Sequence, residues 1–489
     1  MSGWHVAQSS AGAGSYALAS WVFLRLIGVI YLVAFTSLAV QIRGLLGRNG
    51  LLPVVELLST RRHWGVARYW SWPTLCWWFS SDRGLVALCC TGVVLACLLI
   101  FGVAPIPVLV LLWILYLSLF NVGRLFLCYQ WDILLLEAGF LAVFLAPAEM
   151  WPSFPPRWAP PALSVWLFWW LLFRLMFWSG AVKMRSGDLS WRTFSALKFH
   201  YETQPLPTPL AWYARQLPDR VHQAATLLVL LIELGAPFLI LGPDSLRYTA
   251  AATFMILMLL IQLTGNFAFF NLLGFALSLL LLDDRVWLAG LRLLTYSPAF
   301  EVLPTPAISV AASCAAAILI GILSIESVVR LVWVNVQWPR ALARWFDLLE
   351  PFHLVNNYGL FAVMTTWRPE IIVEGSNDGR SWLAYEFKFK AGDVCRAPRF
   401  VAPHQPRLDW QMWFAALGAN PSNTWLERFL QRLKEGSPEV LVLLAKNPFP
   451  NSPPRFVRTV QYDYRFTTFS QRRKTGAWWV RAKRTTNEH

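Results

Sequence analysis

The chain has 489 residues, of which 56% are hydrophobic, only 14% charged and 28 are Trp, and its mean hydropathy is +0.47. A soluble domain carries about 25% charged residues, so this deficit excludes an ordinary soluble protein and means that much of the chain meets lipid. The net charge of +15 does not indicate nucleic acid: the basic residues, mostly Arg, border apolar runs or lie in the C-terminal third without a reader motif, and read as interfacial anchors and basic surface.

In chain order, Met1–Ser20 is small, polar and free of Lys and Arg. The first apolar run is therefore expected to act as the targeting signal in place of a cleavable leader. Runs long enough to cross about 30 Å of hydrocarbon occur at Trp21–Ile42, Gly84–Val103, Ala162–Val182, Val221–Leu241 and Ile308–Trp333. Shorter runs at Pro105–Phe120, Ile133–Ala146, Tyr248–Thr264 and Phe267–Leu282 suit tilted, re-entrant or protein-buried segments. The expectation is a polytopic α-helical membrane bundle of about nine spans, at least five, over residues 1–336, followed by an extramembrane α+β domain with a β-sheet over 337–489. Two polar loops, 43–83 and 183–220, each carry six Lys or Arg. With nine spans both fall on the side of the C-terminal domain, which the positive-inside rule assigns to the cytoplasm.

The seven Cys form no CxxC pair. Structural zinc and a thioredoxin-like pair are thus disfavoured, leaving open a disulfide between two of the cysteines outside the apolar runs. Patterns for a nucleophile elbow, a metalloprotease helix and a P-loop are missing from the sequence, so no catalytic residue, metal ligand or cofactor is expected.

Polar residues inside the apolar runs carry the remaining information. Arg174 lies in a helix of Trp, Leu and Phe, where an unpaired charge costs a few kcal/mol or more. Its available partners are Glu137 and Glu233, and Lys183 follows on the same run. Asn266 and Asn271 flank a possible turn between two short runs and suit backbone satisfaction at a helical hairpin. Glu326 and Arg330, four residues apart, can pair on one helix face. At the end of the second loop, His200, Tyr201, Glu202 and Gln204 form a cluster with either a binding role or a role as interfacial anchor.

Beyond about Gln337, 22 Lys+Arg face 13 Asp+Glu, the composition of a water-facing domain. Tyr358–Thr366 and Ile371–Glu374 read as strands, and Gly375–Gly379 supplies Asn-Asp-Gly turn chemistry before Trp382–Phe389, which predicts a β-hairpin. Leu408–Leu417 and Thr424–Leu433 have helical spacing, and Phe456–Phe466 is a further apolar and aromatic stretch. Asn356, Asn357 and Tyr358 read as a turn. Trp367 and Arg368 suit exposed anchors for a protein partner, or else a core Trp and an Arg paired with Glu370 or Glu374.

Six stretches carry a resemblance. They are Arg174–Phe177 with Gly180 and Lys183, Phe199–Pro205 with Pro207, Gly265–Phe267 with Asn271, Asn356–Phe361, Ile372–Ser376, and Asn447–Pro450. Together they make the chain similar to the lipase maturation factor family. The resemblance implies a multi-span maturation factor, chaperone-like and non-enzymatic, that assists folding and assembly of secreted or exported client proteins, lipases in the known family. It implies two partners, the lipid bilayer and a client protein, with the C-terminal domain and loop 183–220 facing the client on the exoplasmic side, against the charge rule. Known members reside in the endoplasmic reticulum membrane. The sequence has no N-x-Ser/Thr sequon with a permitted middle residue and no retrieval signal after Asn487–His489, which points to the cytoplasmic membrane of a bacterium. The alternative is a membrane enzyme or transporter related to the vitamin K-dependent carboxylase-like proteins.

Overall fold

The computed structural model describes residues 15–293, 303, 305–332, 336–418 and 424–484. Most of the polar N-terminal segment, Trp333 at the end of the last apolar run and Asn487–His489 lie outside the described residues. Nine apolar helices follow in the expected order: α1 (Ala17–Ala39), α2 (Asp82–Ile100), α3 (Pro105–Gly123), α4 (Gln130–Leu145), α5 (Ala162–Arg185), then, after the short loop helix α6 (Ala196–Thr203), α7 (Asp219–Leu239), α8 (Asp244–Thr264), α9 (Phe270–Leu279) and α10 (Ala307–Val332). Seven of them are long and apolar enough to cross a membrane. The other two, α4 and α9, have 16 and 10 residues. Both are wrapped by protein, where a short helix needs no full hydrocarbon span.

Local signals start these helices where the apolar runs begin. Ser81 Oγ accepts from the Gly84 N–H and Asp82 sits in the first turn of α2, satisfying an orphan donor and opposing the helix dipole. Pro105 opens α3 at a position that needs no N–H. Packing is inverted relative to a soluble bundle. On α7, Thr226 and Glu233 are buried while Leu227, Leu228 and Leu231 are exposed, because lipid solvates the leucines and only protein can satisfy the carboxylate. Where α1 and α2 cross, a Cβ on Gly92 would stand 2.5 Å from the Phe35 ring, so the close approach requires glycine.

The C-terminal domain is built on a five-stranded antiparallel sheet in the order β3-β2-β1-β4-β5. The strands are β1 (Arg368–Ser376), β2 (Leu383–Phe387), β3 (Leu444–Lys446), β4 (Phe456–Phe466) and β5 (Trp479–Lys483). The expected hairpin is β1–β2, with Val373 opposite Tyr385. Its turn is tied by Asp378 Oδ1, which accepts from the Arg380 and Ser381 N–H groups. Helices α11 (Arg407–Ala416) and α12 (Thr424–Glu435) fall where their spacing places them. The strand expected at Tyr358–Thr366 is absent: these residues run as turns and loop, since Tyr358 is drawn down into the bundle and its neighbours cannot join the sheet. All seven Cys are free.

Connections after alternate helices meet this domain. Gln41 Nε2 donates to Gln405 O at 2.8 Å after α1, Gln411 Nε2 donates to Tyr129 Oη at 3.0 Å between α3 and α4, Trp212 Nε1 donates to Thr467 Oγ1 at 3.3 Å between α5 and α7, and Asn266 Nδ2 donates to Arg399 O at 2.8 Å between α8 and α9. The polar loops and the C-terminal domain therefore occupy one face of the bundle.

Candidate functional site

The site is organised by α4, whose two carboxylates, Asp132 and Glu137, have no exposed surface. Glu137 is paired with Arg174 of α5. It also accepts from Tyr358 Oη at 2.7 Å, from the Asn356 N–H at 3.0 Å and from Asn356 Nδ2 at 3.1 Å. Arg174 Nη1 donates in turn to Asn356 O at 3.2 Å. The segment carrying Asn356 and Tyr358 thus dips among the helices, and its irregular backbone is tolerated there because charged groups of the bundle complete its hydrogen bonds. One turn away, Asp132 takes a forked ion pair from Arg407 of the C-terminal domain, with Nη2 to Oδ1 at 2.8 Å and Nη1 to Oδ2 at 3.0 Å, and a further bond from Tyr116 Oη.

A second cluster lies toward the loop. Lys183 Nζ reaches both oxygens of Glu233 at 2.6 Å and stands 5.1 Å from the centre of the Trp191 ring. Beside it a cavity of about 90 Å³ is lined by Met176, Lys183, His200, Glu233, Met258 and Phe361. His200 packs edge-on against Phe361 at 4.7 Å and stacks on Phe267 at 6.1 Å. Burial first, and the charge of Lys183 second, push its imidazole down to about 4, so it is neutral at physiological pH.

The remaining candidates are mostly clamps. Asn266 uses both ends of its amide: Oδ1 accepts from the Val401 and Ala402 N–H groups at 2.7 and 3.0 Å while Nδ2 donates to Leu206 O and Arg399 O. Asn271 Nδ2 donates to Gln262 Oε1 at 3.1 Å. Gln204, also buried, donates to Thr264 O at 2.8 Å. Glu202 takes a bond from Arg215 Nε at 3.1 Å, and its carboxyl is nevertheless raised because burial outweighs that arginine. Tyr201 is half-buried against His222, 5.8 Å between ring centres. Glu326 and Arg330 pair on α10.

Of the two readings of Arg368, the structure shows the pair with Glu370, at 2.7 Å, and not the exposed anchor. It is 1% exposed, and its guanidinium donates to Glu202 O, Gln204 O, Pro205 O and Glu370 Oε1. With Nη1 and Nη2 committed to three carbonyls and a carboxylate and the side chain buried, the guanidinium is closed to an outside partner. Tyr358, at 2%, is likewise turned away from any client. Trp367 is 52% exposed and Asn357 is exposed, with Asn357 Oδ1 accepting from Ser327 Oγ at 2.6 Å. The structure brings His200 and the 356–361 segment together through Phe361, which with His200 lines the cavity of about 90 Å³. Sequence reasoning missed Arg407 and its pair with Asp132. Only the acid at the head of an apolar run signalled the site, and its partner lies 275 residues away.

Two family models match: the lipase maturation factor transmembrane domain over residues 18–289 and the lipase maturation factor C-terminal domain over residues 354–487. The chain belongs to the lipase maturation factor family. It is 34% identical to lipase maturation factor 2 of Gallus gallus over 94% of this chain and 79% of that protein. It is likewise 34% identical to lipase maturation factor 2 of Homo sapiens, over 94% and 80%, and to lipase maturation factor 1 of Bos taurus, over 96% and 88%. No solved structure matches. The protein is thus a multi-pass membrane maturation factor by family, and the carboxylase-like enzyme or transporter is not favoured. The C-terminal match begins at residue 354, two residues before Asn356, so the family's second domain starts at the segment that grips Glu137.

Proposed function

We propose that this protein assists folding or assembly of a lipase secreted or exported across its membrane, with the C-terminal domain and loops 43–83 and 183–220 turned to the exoplasmic side. The observation that carries the reading is the match to lipase maturation factors along both the bundle and the appended domain. The architecture suits the task. A sheet clamped to the bundle by Arg407 and Asn266 holds a rigid water-facing platform at the membrane surface, where a chain emerging from the membrane first meets water. A half-exposed aromatic group such as Trp367 suits contact with a partly folded chain.

The test is rescue in cells lacking their own maturation factor, comparing secreted lipase activity with secreted lipase mass. Restored activity per unit mass supports the reading; secretion of equally inactive lipase with and without the protein refutes it. Orientation is checked separately by labelling exposed Cys128 and Cys395 with an impermeant maleimide added from the exoplasmic side, which labels neither residue if the domain is cytoplasmic.

A further inference from the structure

Between α1 and α2 the chain passes through residues 57–81 without an Asp or Glu, yet this stretch holds Arg61, Arg62, Arg68 and five Trp. It does not stand clear of the bundle. Thr74 Oγ1 donates to Ser118 O at 2.8 Å, the Leu75 N–H donates to Ser118 Oγ at 3.0 Å, and Asn121 Nδ2 donates to Pro73 O at 2.9 Å. Ser118 lies five residues before the end of α3, roughly 8 Å along the helix axis. The stretch is therefore pinned at the depth of the last turns of a spanning helix, the level of lipid headgroups and the first acyl carbons. Trp64, Trp70 and Trp78 are 41%, 58% and 64% exposed, the placement of an interfacial aromatic belt.

The arginines here are held on rings and not by acids. Arg61 lies 4.1 Å over Trp72 and Arg68 lies 5.0 Å over Trp77. Neither they nor Arg124 meet a carboxylate among the described residues. Arg61 Nε, Arg68 Nε and Trp72 Nε1 are buried donors without an acceptor. A groove of about 770 Å³ opens beside Arg61 and Trp72, lined also by Asn121 and Arg124, with Glu350 the one carboxylate among its lining residues. Burial, and then the charge of Arg124, hold the Arg61 guanidinium below its ordinary value, as two cations facing one unfilled space should.

We propose that Arg61 and Arg124 hold the phosphate of an anionic phospholipid of the surrounding bilayer, with the Trp-rich stretch 64–79 seated in its headgroup layer. The lipid supplies the acceptor that Arg61 Nε and Trp72 Nε1 lack and a negative charge beside two arginines that form no ion pair with Glu350. The inference is independent of the client.

The test is native mass spectrometry of the full chain in detergent, titrated with phosphatidylglycerol or phosphatidylcholine. Retention of phosphatidylglycerol is expected to be better by about thirtyfold, the ratio that corresponds to about 2 kcal/mol at about 1 kcal/mol for each of the two arginines. The preference should vanish in R61Q/R124Q, persist in R61K/R124K, and persist in R458Q, whose guanidinium pairs with Glu374 on the sheet. Equal retention of the two lipids by the unmodified protein overturns the proposal without recourse to any variant. Displacement of the lipid by millimolar inorganic phosphate overturns it in favour of a free anion, and capture of an unfolded lipase chain in place of either lipid overturns it in favour of a protein surface.

Discussion

Glu137 and Arg174 form a pair whose two halves should fail unequally. Glu137→Leu leaves a guanidinium buried among helices, and it also strands the Asn356 N–H, Asn356 Nδ2 and Tyr358 Oη, which donate to the same carboxylate. Breaking a buried pair from one side costs about 3 to 5 kcal/mol, and each stranded donor adds about 1 to 3 kcal/mol before relaxation. The loss is therefore about 5 kcal/mol or more. Arg174→Met also strands Asn356 O but leaves the carboxylate with three donors, and the thioether chain refills most of the volume, so about 3 kcal/mol, the low end of that range, is expected. Tyr358→Phe removes one donor and should cost about 1 kcal/mol. The assay is thermal melting of each purified variant in detergent, followed by size-exclusion fluorescence, with the midpoint falling about twice as far for Glu137→Leu as for Arg174→Met. If Arg174→Met proves equally or more damaging, the three donors contribute nothing and the reasoning is wrong.

Asp132→Ala should cost about 3 to 5 kcal/mol by orphaning Arg407; limited proteolysis should then cut the C-terminal domain free of an intact bundle, and uniform resistance would argue against a clamp. Asn266→Ala removes the acceptor of the Val401 and Ala402 N–H groups at about 2 to 4 kcal/mol, with hydrogen exchange rising first at residues 399–404. For His200, an unfolded chain binds its proton near 6.5 and the folded one not until about 4, so stability is full above 6.5 and declines as pH falls toward 4, by about 3 kcal/mol at most. His200→Leu should flatten that part of the stability curve and leave the part owed to His404, which is held down to about 4 as well; a curve unchanged by the substitution would contradict the burial argument.

Composition and run length by themselves determined the membrane class, the order of nine apolar helices and the change to a water-facing domain, because these properties are local and additive along the chain. The β1–β2 hairpin and helices α11 and α12 were legible for the same reason, being set by turn chemistry and spacing within a few residues. Charge placement could say that Arg174 needed a carboxylate, since the cost of an unpaired cation does not depend on the fold. It could not choose between Glu137 and Glu233, and the structure gives the first to Arg174 and the second to Lys183. Only the tertiary structure decided that α4 is the buried centre of the bundle, that Asn356 and Tyr358 descend to its carboxylate, and that Arg368 is sealed behind three carbonyls. Each of these depends on which elements meet across more than 150 residues of chain, and no periodicity within a segment records its distant partner.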